Sequence, residues 1–161
     1  MQHLEVVLVL LISAILLVDI IYCVKKYKSR TSFKKYLDTI GSPIVPFACN
    51  GYRVFMLIDT GASSSHITED TIKALNAKKL DKHINSVGFG GMSEKSDIYS
   101  ITLGYKHKNY PIEVCASKAL KQGLYSIYVN YGVTVHGVLG GDFLDKYNFV
   151  IDYKNCTLYR K

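Results

Sequence analysis

The chain has 161 residues, 48% of them hydrophobic and 20% charged, which is the length of about one domain and excludes intrinsic disorder. Four cysteines without Cys-x-x-Cys spacing exclude a zinc ribbon and a disulfide-stapled miniprotein. The net charge of +7 is unevenly placed, because Lys25, Lys26, Lys28, Arg30, Lys34 and Lys35 all fall between Asp19 and Asp38. Setting these six aside with Glu5 and Asp19 leaves 14 basic against 11 acidic residues. Membrane topology explains that distribution better than nucleic acid, and no nucleic-acid partner is expected.

Residues 1–5 form a short tail. Residues 6–24, VVLVLLISAILLVDIIYCV, are almost wholly apolar, and nineteen residues at ~1.5 Å each make a helix of about 28 Å, close to the thickness of a bilayer core. The preceding MQHLE lacks Lys and Arg, and DIIYCVKK offers no small-residue cleavage site. The segment therefore reads as an uncleaved single-span anchor rather than a signal peptide. Bulky residues before Cys23 argue against a lipoprotein. All flanking bases follow the span, so the N-terminus is expected outside and the rest of the chain in the cytoplasm. Asp19 within the span costs a few kcal/mol unless it is hydrated near the interface or meets a second helix.

Residues 25–42 are basic and end in Gly41-Ser42-Pro43, as expected of a juxtamembrane linker. Residues 43–161 then form the folded domain, built of short apolar runs separated by turn signals. Ile44–Cys49 and Tyr52–Ile58 flank Asn50-Gly51, a strong hairpin signal. Further strands are expected at Ile98–Leu103, Tyr110–Ala116, Leu124–Val129, Asn148–Asp152 and Cys156–Tyr159. Thr68 is placed to cap a short helix beginning Glu69-Asp70, and Asp142 to cap another over Phe143–Tyr147. The basic stretch Lys73–Lys82 is expected to be a solvated helix-and-loop face.

Three segments carry chemistry together. Met56–Ser63 is an apolar strand ending in Asp59-Thr60-Gly61. Val87-Gly88-Phe89-Gly90-Gly91-Met92 suits a flexible hairpin tip, and Gly137-Val138-Leu139-Gly140-Gly141-Asp142 leads into the second helix. In order and spacing these resemble the retropepsin-like (retroviral-type) aspartic proteases over roughly Ile44 to Tyr159. The resemblance implies an all-β, closed β-barrel with one or two short helices, here preceded by a transmembrane helix.

Aspartic protease chemistry needs two carboxylates sharing one proton around a water. The chain has a single Asp-Thr-Gly, since Asp38-Thr39-Ile40-Gly41 carries an inserted residue, so a homodimer is expected to supply the second Asp59. The resemblance makes Asp59 the catalytic acid/base, with Thr60, Gly61, Ala62 and Ser63 supporting it. Thr60 would brace the two loops across the dimer, and Gly61 would let substrate approach closely. Gly88, Phe89, Gly90, Gly91 and Met92 would close as a flap over an extended peptide. Leu139 and Gly140 would pack beneath the catalytic loop. Ala62 cannot donate to the ionised carboxylate as a hydroxyl there would, so activity is expected at mildly acidic to near-neutral pH, with Ser63 as a replacement donor. Retroviral enzymes usually carry an arginine after the late glycine; Gly141 stands there, so the salt links of that arginine are missing.

His66, His83, His107 and His136 lack ligand spacing, so surface or hydrogen-bonded histidines and no metal or other cofactor are expected. Gly61-Ala62-Ser63-Ser64-Ser65 lacks the closing glycine of a nucleophile elbow. The alternative to a membrane-anchored endopeptidase is a non-catalytic peptide-binding or dimerising module of the same fold.

Overall fold

Apolar residues that alternate in and out along two strands begin a barrel, and its closure positions everything else. The structure, a computed structural model, describes residues 2–87 and 93–161. Its first half comprises α1 (Gln2–Lys28), β1 (Thr31–Ser32), α2 (Lys34–Ile40), β2 (Ile44–Cys49), β3 (Tyr52–Ile58), β4 (His66–Thr68) and α3 (Glu69–Ala74). The second comprises β5 (Lys78–Val87), β6 (Ser93–Tyr105), β7 (Lys108–Ser117), α4 (Lys118–Tyr131), β8 (Gly137–Leu139), α5 (Gly141–Lys146), β9 (Phe149–Asp152) and β10 (Thr157–Arg160).

β2 and β3 pair as an antiparallel hairpin, Ile44 opposite Leu57 and Cys49 opposite Tyr52. Asn50 and Gly51 turn it with φ of 47° and 81°, the backbone hand that matches strand twist. Hydrogen bonding then passes from β3 through β8, β4, β7 and β6, and β6 returns to β2 at the Ala48–Gly104 pair. Six strands thus close a ring with few free edges, and β5 lies outside it on β6. Phe47, Tyr105, Tyr110, Phe143 and Phe149 fill one end; Phe149 lies 5.1 Å from Phe143 and 5.3 Å from Tyr105 between ring centres. A separate sheet, β1–β10–β9, joins the two ends of the domain. The Tyr105 hydroxyl ties it to the barrel by donating to the Leu158 carbonyl at 2.6 Å.

The structure changes four expectations. Residues 25–42 are no loose linker: α1 runs to Lys28, β1 pairs with β10, and Phe33 is fully buried in the main core. Leu124–Val129 is part of helix α4 rather than a strand. Leu120, Leu124 and Ile127 pack with α2 residues Tyr36 and Ile40, while Tyr125, Tyr128 and Val129 face solvent. Ser117 caps this helix by accepting from the Leu120 N–H at 3.2 Å, and Gly132 ends it at φ 65°. Lys78–Lys82 lies in strand β5, so only Lys73 and Ala74 of that stretch are helical. Gly140, not Asp142, occupies the cap position of α5, and Asp142 stands in its first turn. The soluble part therefore holds four helices among the described residues, where one or two were expected. Thr68 caps α3 as expected, accepting from the Thr71 N–H at 3.3 Å.

Phe33→Ala tests whether this segment belongs to the domain. Truncating a fully buried phenylalanine should cost about 3–5 kcal/mol, read as a lowered midpoint in denaturant, whereas a linker residue would cost nothing measurable.

Candidate active site

Asp59 follows directly on β3, whose last residue, Ile58, is buried at 4% exposure. Beside β3 runs β8 in parallel, pairing Met56 with Gly137, Leu57 with Val138 and Ile58 with Leu139. The ladder continues one residue further, because the Asp59 N–H donates to the Leu139 carbonyl at 3.0 Å. There the chain turns. The Ala62 N–H donates to the Asp59 carbonyl at 3.2 Å, and the Gly61 N–H donates to Asp59 Oδ1 at 2.8 Å. A Cβ on residue 61 would stand 3.2 Å from that same oxygen, so glycine leaves the carboxylate room. Asp59, Thr60 and Gly61 are exposed. The carboxylate borders a hollow of about 320 Å³ shared with Pro43, Thr60, Ile151 and Tyr153.

Beneath the loop lies a polar lock that motif reasoning missed. Ser65, fully buried, donates through its hydroxyl to Asp142 Oδ1 at 2.7 Å and through its N–H to Asp142 Oδ2 at 3.0 Å. The same hydroxyl accepts from the Gly140 N–H at 3.0 Å, and Asp142 Oδ1 also accepts from the Phe143 N–H at 2.8 Å. The Gly141 N–H closes the set by donating to the Ala62 carbonyl at 2.8 Å. Gly140 has no room for a side chain: a Cβ would meet the Ala62 oxygen at 2.5 Å and the Ser64 oxygen at 2.9 Å. The hydroxyl recruited to this region is thus Ser65 rather than Ser63, and it serves the loop's underside. The sequence signal was present in the Ser63-Ser64-Ser65 run and in the acid after Gly141.

His136, just ahead of β8, links strands as well. Its Nδ1 accepts from the Phe55 N–H at 3.1 Å, its own N–H donates to the Phe55 carbonyl at 2.8 Å, and its ring stacks on Phe55. Burial pushes its pKa below the ordinary 6.5. Burial, followed by the nearby Asp142 charge, raises the Cys115 thiol, which keeps it protonated and inert. No group of three His, Cys, Asp or Glu suited to a metal occurs among the described residues. A larger hollow of about 530 Å³, bordered by Pro46, Tyr52, Arg53 and Tyr105, contains no carboxylate, histidine or cysteine. The structure brings Asp59, Thr60, Gly61, Ala62, Leu139 and Gly140 together. The expected flap, Gly88, Phe89, Gly90, Gly91 and Met92, lies outside the described residues; β5 and β6 pair up to Val87 and Ser93 on either side of it.

Residues 45–143 match the family model for aspartyl proteases. The chain belongs to that family. Among proteins of curated function none matches its sequence. The fold of this chain is shared with a retropepsin-like aspartic protease from Rickettsia conorii, at TM-score 0.51 and 17% identity over 80% of this chain and 86% of that one. The retroviral protease-like domain of Ddi1 from Leishmania major aligns at TM-score 0.50 and 18% identity, covering 74% and 88% of the two chains. The EIAV protease complexed with the inhibitor HBY-793 aligns at TM-score 0.50 and 19% identity, covering 66% and 88%. The retropepsin fold, a closed mostly-β barrel with an N-terminal apolar helix added, is therefore that of this chain.

Ser65→Ala should destabilise the aspartyl protease by about 1–3 kcal/mol in denaturant unfolding, because the buried Gly140 N–H loses its acceptor. His136 supplies a pH dependence of known sign. The folded state disfavours its protonated form while the unfolded chain takes up a proton near pH 6.5. Its stabilising contribution is therefore full above pH 6.5 and is lost as pH falls toward the lower folded-state value. His136→Asn, which keeps an acceptor that does not titrate, should flatten the fall in Tm between neutral and mildly acidic pH.

Proposed function

We propose that this chain is a membrane-anchored aspartic endopeptidase, active as a homodimer. The observation that carries the reading is the placement of Asp59. It is an exposed carboxylate on a loop fixed by β8 and by the Ser65–Asp142 lock, in a chain with only one Asp-Thr-Gly. Two copies related by a two-fold axis bring Asp59 of each subunit beside a single water. Like charges at that range do not both ionise, so the pair holds one proton. The ionised member takes a proton from the water as its oxygen attacks the scissile carbonyl. The protonated member gives its proton to the carbonyl oxygen. Collapse of the tetrahedral intermediate then expels the amine, which leaves with a proton from one member of the dyad while the other member takes the proton of a hydroxyl of the intermediate. Water is consumed and the acid pair regenerated.

Peptide binds as an extended strand, and Thr60 braces the two loops. Residues 6–24 hold the enzyme in a lipid bilayer: α1 contains an unburied stretch, Val6–Lys25, with mean hydropathy 2.9. The excess of bases after the span favours an N-terminus outside and a protease domain in the cytoplasm. Confinement to one plane raises the concentration of each copy for the other.

Asp59→Asn should lower turnover on a peptide library by roughly 10²–10⁴-fold while leaving the fold intact by circular dichroism. Specific activity of the wild type should fall as detergent-solubilised protein is diluted. Cleavage that survives the substitution would refute the mechanism, and full activity of a solitary subunit would refute the shared dyad. If neither wild type nor variant cleaves, the peptide-binding module becomes the better reading.

A further inference from the structure

The junction between the apolar helix and the domain contains no free chain. Helix α1 ends at Lys28, yet the next two residues still bond back to it, the Ser29 N–H to the Lys25 carbonyl at 3.0 Å and the Arg30 N–H to the Tyr27 carbonyl at 3.1 Å. Arg30 is also the first residue held by the domain. Its guanidinium donates to Asp152 Oδ2 at 3.2 Å and lies 4.3 Å from the centre of the Tyr159 ring. Both partners of that ion pair are about four-fifths buried, with side chains 21% and 18% exposed. Asp152 is fixed in turn by Asn155, whose side-chain amide donates at 2.7 Å and backbone N–H at 3.0 Å. Thr31 and Ser32 enter the sheet against Leu158 and Thr157, and the Phe33 N–H donates to the Cys156 carbonyl at 2.9 Å.

The same strand that grips Arg30 borders the candidate active site. Ile151 and Tyr153, on either side of Asp152, line the hollow that holds Asp59, and Phe33 packs edge-on against Tyr153 at 5.7 Å. Asp59 is therefore reached from the last turn of α1 through one ion pair and one strand. The carboxylate can then stand no farther from the helix end than the width of a domain of this length, on the order of 30 Å. A protease on a flexible stalk would sweep a wide shell above the bilayer, whereas this one works at one height.

We propose that the substrates of this enzyme are polypeptide segments tethered to the same membrane, cut within a short distance of the bilayer surface. The inference rests on the anchored-endopeptidase reading above and adds a substrate class to it. A segment about 20 flexible residues from its own anchor has an r.m.s. reach of roughly 25 Å, comparable with that distance. A much shorter tether does not reach the cleft. A tether tenfold longer dilutes the segment by roughly the three-halves power of its length.

The test uses the full chain reconstituted in phosphatidylcholine–phosphatidylglycerol vesicles. The peptide it cleaves best from a soluble library is placed on a single-span carrier with Gly-Ser spacers of about 5, 20 and 200 residues. Cleavage should peak at the middle spacer and fall roughly tenfold or more at the longest. A second enzyme, with a long Gly-Ser insert between Ser29 and Arg30, should cleave the free peptide as wild type does and lose the spacer preference. Equal cleavage at all three spacers by the wild type would overturn the inference while leaving the protease reading intact. Failure to cleave even the free peptide, or cleavage unchanged by Asp59→Asn, would overturn the protease reading and this inference with it.

Discussion

Everything about the candidate site depends on one three-residue strand. Gly137–Leu139 is threaded between β3 and β4, parallel to the first and antiparallel to the second. These two strands enter and leave the loop that carries Asp59. Pairing both to one rod fixes where the loop begins and where it ends, so its path between them is short and nearly determined. The carbonyl of Leu139 then takes the Asp59 N–H, extending the ladder to the residue that matters. All three β8 residues are buried, and their backbone groups have no water to fall back on. Leaving such groups unpaired costs about 1–3 kcal/mol each, so the ladder is held in register by the penalty for any slip.

The polar lock under the loop has the same logic at side-chain level. A carboxylate beneath the Asp59 loop can hold it in place when its oxygens accept from donors fixed on that loop, because charge-assisted bonds are roughly twice as strong as neutral ones. Asp142 meets this with the Ser65 hydroxyl and two backbone N–H groups. Retroviral relatives usually place an arginine one residue earlier, and such a side chain reaches outward to ion pairs. Gly141 makes no such reach, and its backbone N–H is spent on Ala62 instead. Support for the loop comes from a small network in which Ser65 is buried and Asp142 is exposed.

What was legible in the sequence follows from how local each signal is. The β2–β3 hairpin was readable because Asn50-Gly51 dictates a turn on its own. The Asp-Thr-Gly and Gly-Gly-Asp segments were readable because their spacing matches a retropepsin barrel. Helix α4 was misread because Tyr, Ile and Val favour strands when taken singly. The deciding signals were the period of Leu120, Leu124 and Ile127, and the caps at Ser117 and Gly132. The segment after the span was misread for a different reason. Lys25, Lys34 and Lys35 point to solvent, but one phenylalanine among them, Phe33, is fully buried, and charge density hides a single apolar anchor. Ser65 and Asp142 lie 77 residues apart, so the serine run and the acid after Gly141 could be seen singly, but their pairing is created only by the closed barrel.

In the proposed dimer, the short junction would also limit how two copies meet. A dimer that completes the acid pair is related by a two-fold axis, and both anchors must enter the same bilayer from the same side. With slack between anchor and domain, many axis directions would satisfy that condition. Without it, only an axis along the membrane normal keeps the two helices parallel. The Asp59 face must then lie on that axis, with each domain beside the other rather than above it. The N- and C-terminal strands share the β1–β10–β9 sheet, so the orientation of the anchor passes directly into the sheet that borders the Asp59 hollow. In the proposed dimer, a shared membrane would concentrate the two copies for each other and set their two-fold axis along its normal.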